Sequence, residues 1–298
     1  MSGDRGLGKH MHKVIVVLAA LAAAGVSIGL AAPAWAATQL HEDGTGFVTA
    51  ADARIRRLLG LEILVVLALS LGRSAFYAVL ALIDAFTRGP IAQQTTSLNT
   101  SASDRPWFDL AYQLAGIVFA LAPVALVLLL LTLTGTHAIR ALGMGLDRPV
   151  RDAAWGVALA ACIGLPGLVI YYIGRALGAT LEVVPAALDQ HWWTVPVLIL
   201  HALKNALLEE VIVAGYLVVR LEQLGWRPVW IVAASAVLRG FYHLYQGIGP
   251  GLANMLMGVV FAEWFRRTRR TMPLIIAHTL IDVVAFVGYA LLRDLIST

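Results

Sequence analysis

The sequence predicts an all-α fold: a polytopic transmembrane helical bundle of about seven to eight spanning helices, with a polar chamber in its C-terminal half. Three observations predict it. Hydrophobic residues fill 59% of the 298 positions and charged residues only 13%, too little polar surface for a water-soluble domain of this length. Eight stretches are apolar over ~20 residues, the length that crosses ~30 Å of hydrocarbon. Ionisable residues inside those stretches gather in the later ones, and intramembrane charge normally faces a bundle interior. Helices follow rather than strands, because a lipid-exposed strand edge leaves its backbone unpaired.

The stretches run roughly over 14–32, 60–85, 107–134, 153–177, 193–219, 228–246, 250–265 and 271–293. The first, "VIVVLAALAAAGVSIGLAA", follows Lys9 and Lys13 and ends in a small-x-small site at Ala34 and Ala36. Residues 1–50 therefore read as a signal peptide or leader, or as an extra N-terminal helix. Residues 51–190 supply scaffold helices. Their polar loop "AQQTTSLNTSASDRPW" ends at Trp107, and "DQHWW" sets Trp192 and Trp193 at a second headgroup level. Residues 191–298 hold the last four stretches and nearly all of the buried chemistry.

Basic clusters orient the bundle. Arg54–Arg57, then Arg140, Arg148 and Arg151, then Arg220 and Arg227, then Arg266–Arg270 fall at alternate connections. The positive-inside tendency puts all four in the cytoplasm and leaves 86–106, 178–192 and 247–250 outside. Seven helices from about residue 60 satisfy this, in a multi-pass protein of a cell membrane, expected to be a bacterial plasma membrane. The net charge of +4 does not call for nucleic acid; the bilayer accounts for the arginines. One cysteine, Cys162, lies in an apolar helix, which excludes a disulfide framework and a cysteine metal site.

The candidate site is read from helical spacing. His201, Asn205 and Glu209 follow one another at four-residue steps, and so do Arg239 and His243, and His278 and Asp282. That step puts side chains on one helix face and aims them at one chamber. Asn254 shares a face with Gly258 on the stretch between. Glu209 and Glu210 are neighbours, ~100° apart on an α-helix, and are expected to point different ways. A carboxylate in a low-dielectric chamber can serve as a general base for water, and an imidazole can donate to an oxyanion. No Ser or Cys nucleophile with an adjacent base, no "HExxH" and no phosphate cradle compete with that chemistry. His201 and Lys204 read as polar lining, and Tyr242 as a belt aromatic or a pocket wall.

"EEVIVA" from Glu209, "RGFYH" ending at His243 and "HTLID" from His278 together resemble the signatures of the CPBP family. Its members are CAAX prenyl endopeptidases and bacteriocin-processing proteins, also described as Abi-type intramembrane proteases. The resemblance covers roughly residues 190–290. It implies an intramembrane endopeptidase that cuts a membrane-associated peptide or protein. It also implies Glu209 as the water-activating base, His243 and His278 as carbonyl-polarising groups, and Asp282 orienting His278. Two positions depart from the pattern: the family arginine falls at Ala214 and the family phenylalanine at Arg239. Arg239 is accordingly expected to reach Glu210 across the helix interface. A metal-free glutamate site is expected; if a metal is bound it is zinc, with Glu209, His243 and His278 as the ligand set. The competing readings are a proton-coupled transporter using His201, Asn205 and Glu209, and a non-catalytic immunity or scaffold protein.

Overall fold

The computed structural model describes residues 40–42, 48–50, 53–135 and 137–296, with side chains described over 53–135 and 137–291. The expected leader or first helix lies outside these residues. Helices dominate. After a two-stranded antiparallel pair, β1 (Leu40–Glu42) and β2 (Val48–Ala50), come α1 (Ala53–Leu69) and α2 (Leu71–Arg88). Then follow β3 (Thr95–Ser97), α3 (Pro106–Ala120), α4 (Ala122–Leu133), the single turn α5 (Ala138–Ala141) and α6 (Pro149–Ala176). Strand β4 (Glu182–Val184) leads to α7 (Thr194–Glu209), a π turn (Glu210–Tyr216), α8 (Leu217–Gln223), α9 (Pro228–Tyr242), α10 (Ile248–Thr268) and α11 (Met272–Ile296). Helices α3, α4, α6 and α9 carry proline in the first turn, where its missing N–H costs nothing.

The run from α7 through the π turn into α8 is the axis of the molecule. Every residue from Glu209 to Leu221 is buried. Val127 and Leu131 of α4, Leu142, and Phe261 and Phe265 of α10 pack into the same core. On one side α11 lies against α6 and α7; on the other α9 lies between α2 and α10. Gly258 makes the last contact close, since a Cβ there would stand 2.7 Å from the Ala236 Cα. Away from this axis Val118, Phe119, Leu165 and Val169 are exposed, as side chains facing acyl chains should be.

By length and composition four helices can cross a membrane: 106–133, 149–176, 248–268 and 272–291. The bent pair α1–α2 makes a fifth if it is one span. That is fewer than the seven to eight expected. The reason is local: α9 has only 15 residues, and the α7–π–α8 run carries Lys204, Glu209, Glu210 and Arg220. Protein encloses the π turn and most of α8, while α7 still exposes Ile199, Leu200 and Leu203.

The connections sort to two ends. At one, β3 pairs in parallel with β4, Leu181 N–H donates to Gln246 O and Ile248 N–H to Ala179 O. These belong to the three connections expected outside. At the other end Arg269 grips Glu222 at 2.6 and 2.9 Å, and Arg270 binds Asp147 and Asp152. Arg220 is buried against Glu62 of α1 at 2.8 Å. The basic clusters thus share one end, and several are matched by carboxylates.

Candidate active site

Four helical elements bring the site together. Glu209 ends α7 and Glu210 opens the π turn; they are 8% and 0% exposed. Against the α-helical expectation, both reach the same guanidinium. Arg239 Nη2 of α9 lies 2.5 Å from Glu210 Oε1 and 3.8 Å from Glu209 Oε2. Two-methylene side chains and the change of winding at Glu210 allow the convergence, and π turns recur at functional positions. The expected interhelical pair of Arg239 with Glu210 is present, and it places on a neighbouring helix the charge that Ala214 lacks.

Glu210 Oε1 also meets His278 Nδ1 of α11 at 2.7 Å. A carboxylate oxygen accepts, so His278 Nδ1 carries the proton. The other ring nitrogen stands 3.7 Å from Asp282 Oδ1, and Asp282 Oδ2 accepts from Asn205 Nδ2 at 3.1 Å. His278 is thereby bracketed by two carboxylates on its two nitrogens. Glu209 is held separately: the Tyr242 hydroxyl donates to its Oε2 at 2.8 Å.

His243 follows Tyr242 at the end of α9 and is half-buried. Its Nδ1 lies 3.0 Å from the Arg239 carbonyl. A carbonyl only accepts, so Nδ1 is protonated and a neutral His243 has a bare Nε2. Glu209, His243 and His278 are within electrostatic reach of one another. Asn254 turns to its own helix, donating to Pro250 O at 3.1 Å. His201 leaves the glutamates altogether. The Gln113 amide donates to Asp109 and to Thr100 O, so its oxygen faces His201, which must donate from Nε2 at 2.8 Å. Lys204 stands within electrostatic reach of Glu209 and Asp282.

Tyr242 is the residue that sequence reasoning left undecided. Its position beside His243 was visible, but its bond to Glu209 depends on how α9 is rotated against α7. Glu62 was missed because it sits alone in an apolar helix, with its partner Arg220 158 residues away.

Among the described residues, Glu209, Glu210 and His278 each offer one ligand atom, all within 4.8 Å of one another. This differs from the expected zinc set, in which His243 stands in place of Glu210. The Arg239 guanidinium already lies between the two carboxylates, so a divalent ion held by both would face a resident positive charge.

Residues 191–284 match the Rce1-like family. The matching description is Type II CAAX prenyl endopeptidase Rce1-like, and the resemblance drawn from the three motifs is borne out over nearly the same residues. No curated protein and no solved structure matches the chain. The Rce1-like segment spans α7 to α11 as far as residue 284, and so contains every glutamate, histidine and arginine of the site. With its apolar helices, the chain is a nearly all-α, multi-pass membrane protein.

Proposed function

We propose that this chain is a CAAX-type intramembrane endopeptidase that hydrolyses a peptide bond of a membrane-associated peptide or protein with water activated at Glu209. One observation carries the reading: Glu209 is buried, fixed by the Tyr242 hydroxyl, and gathered with His278 on three packed helices. A carboxylate held so has one free oxygen for a water and little bulk solvent to compete.

The steps balance without a cofactor. Ionised Glu209 takes a proton from water, and the oxygen adds to the scissile carbonyl carbon. The carbonyl oxygen gains negative charge, which an imidazole N–H stabilises. Glu209 then hands the proton to the leaving nitrogen, the C–N bond breaks, and an acid and an amine depart. Asp282 and Glu210 align the His278 ring, but its Nδ1–H is committed to Glu210, so His278 donates to the carbonyl oxygen only from Nε2 and only when both ring nitrogens carry protons. His243 donates from Nε2 only when protonated on both nitrogens, since Nδ1 is committed to the Arg239 carbonyl. Glu210 and Arg239 act as a neutral clamp between α9 and the π turn.

The site is read as metal-free because Arg239 supplies the positive charge. Chelation should leave cleavage intact; loss on chelation with recovery on zinc addition would overturn this point and leave the protease reading standing. On this reading the reaction chamber lies among α7, α9 and α11, in a protein proposed to have seven spans with its basic connections in the cytoplasm of a bacterium. The decisive experiment is a comparison of membrane-protein termini in cells carrying the wild type or Glu209→Gln. A specific set of new termini should fall at least ~100-fold while the variant accumulates and melts normally. An unchanged terminus profile would favour a scaffold or immunity protein, and loss of proton coupling with unchanged termini a transporter.

A further inference from the structure

A second charged feature lies away from the glutamates, where α5, the connection 142–148, and the junction of α10 with α11 meet. It is a cleft of about 640 Å³ lined by His137, Ile139, Arg140, Gly143, Gly145, Asp147, Arg148 and Arg270. Its floor is built rather than casual. Gly143 has φ +60, and a Cβ there would stand 2.1 Å from Arg269 O, so only glycine lets the two connections touch. Thr271 N–H and Oγ1 both donate to Leu142 O, at 3.0 and 2.7 Å. Arg270 is locked by Asp152, by Asp147 and by Gly145 O at 3.0 Å.

Charge in the cleft is unbalanced. Asp147 is shared between Arg148 at 3.4 Å and Arg270 at 3.2 Å. Arg140 has no ion pair with any described carboxylate. The amino end of α6 opens at the same place, with Arg148 at its cap and Pro149 in its first turn, and adds partial positive charge. The level in the membrane is also defined, because three candidate spans start or stop here, at residues 149, 268 and 272. That is where headgroups lie. Leu146 of this connection and Val150 in the first turn of α6 are 78% and 82% exposed. Such side chains suit the upper acyl chain, whereas a free anion would have no use for them.

We propose that this cleft binds the phosphate headgroup of an anionic phospholipid, with Arg140 and Arg148 as its principal cations and Leu146 and Val150 against its acyl chains. The lipid would tie the α5–α6 connection to the α10–α11 junction, and through it hold the end of the axis helix.

The test uses the full-length protein in phosphatidylcholine nanodiscs with and without phosphatidylglycerol, with retained lipid read by native mass spectrometry. Phosphatidylglycerol should be retained about thirtyfold over phosphatidylcholine, as two surface arginines imply. Arg140→Gln with Arg148→Gln should abolish that preference. Arg140→Gln alone, at an exposed position with no described carboxylate against it, keeps the test open should the double variant fold poorly; it should weaken the preference measurably. Equal retention of both lipids by the wild type, or undiminished phosphatidylglycerol on the variants, overturns the proposal. Inorganic phosphate added to lipid-depleted protein should neither raise its melting temperature nor displace phosphatidylglycerol. If it does either, the cleft is a free-phosphate site and the lipid assignment falls.

Discussion

Arg239 shows at residue scale why one substitution can be severe here. It is 1% exposed and faces two carboxylates, so Arg239→Ala leaves Glu210 charged in a dry interface with only the His278 hydrogen bond against it. Removing one partner of a buried pair costs about 3–5 kcal/mol. Thermal unfolding in detergent should reveal that loss, and Glu210→Gln in the same background should restore part of it. Tyr242→Phe is the milder probe. It removes one hydrogen bond to the proposed base, so kcat should fall about tenfold with KM nearly unchanged; an unaffected kcat would make Tyr242 a wall residue only. Asp147 offers a pH test outside the spans. Hydrogen bonding to Arg270 holds its carboxyl below the usual carboxylate range. Its stabilising contribution is therefore present above the unfolded value, about pH 4, and fades as pH falls through the lower folded value. The melting difference between wild type and Asp147→Asn should be constant near neutrality and vanish in acid.

At the scale of elements, the four-residue steps His278–Asp282 and Arg239–His243 were legible, because helical periodicity alone sets which side chains share a face. The convergence of Glu209 and Glu210 was not, because it needs a local change of winding that no residue type announces. The close packing of α9 on α10 was half legible: Gly258 could be put on the face of Asn254, but not against Ala236. Its consequence can be tested. In Gly258→Val the new side chain meets the α9 backbone and also crowds the Arg239 Cβ, now 3.3 Å from the ideal Cβ position. Overpacking typically costs about 1–3 kcal/mol. The variant should unfold earlier and lose cleavage together, since the helix it displaces carries Arg239, Tyr242 and His243.

For the whole molecule, the shared end of the basic clusters and the hydrogen-bonded group of opposite connections argue for one orientation. In a background with Cys162→Ala, single cysteines at Ser97 and Asp189 should react with an impermeant thiol reagent added outside intact cells. Cysteines at Arg140 and Arg267 should react only after lysis. The reverse pattern would invert the topology and place the basic cleft on the outer leaflet. Span number was less legible than span existence: apolar stretches suggested seven to eight spans, whereas four helices, or five with the bent pair, are long and apolar enough to cross, because apolar residues also fill helices that are short or broken.

Composition, apolar length and helical spacing were enough to establish a membrane bundle, the segment that matches a protease family and which side chains share a helix face. Those properties depend on neighbours along the chain. The partner of each charge was a different matter: Arg239 with Glu210, Tyr242 with Glu209, His201 with Gln113, Arg220 with Glu62. These pairings join residues 29 to 158 positions apart, and helix rotation and packing, to which periodicity is blind, select among them.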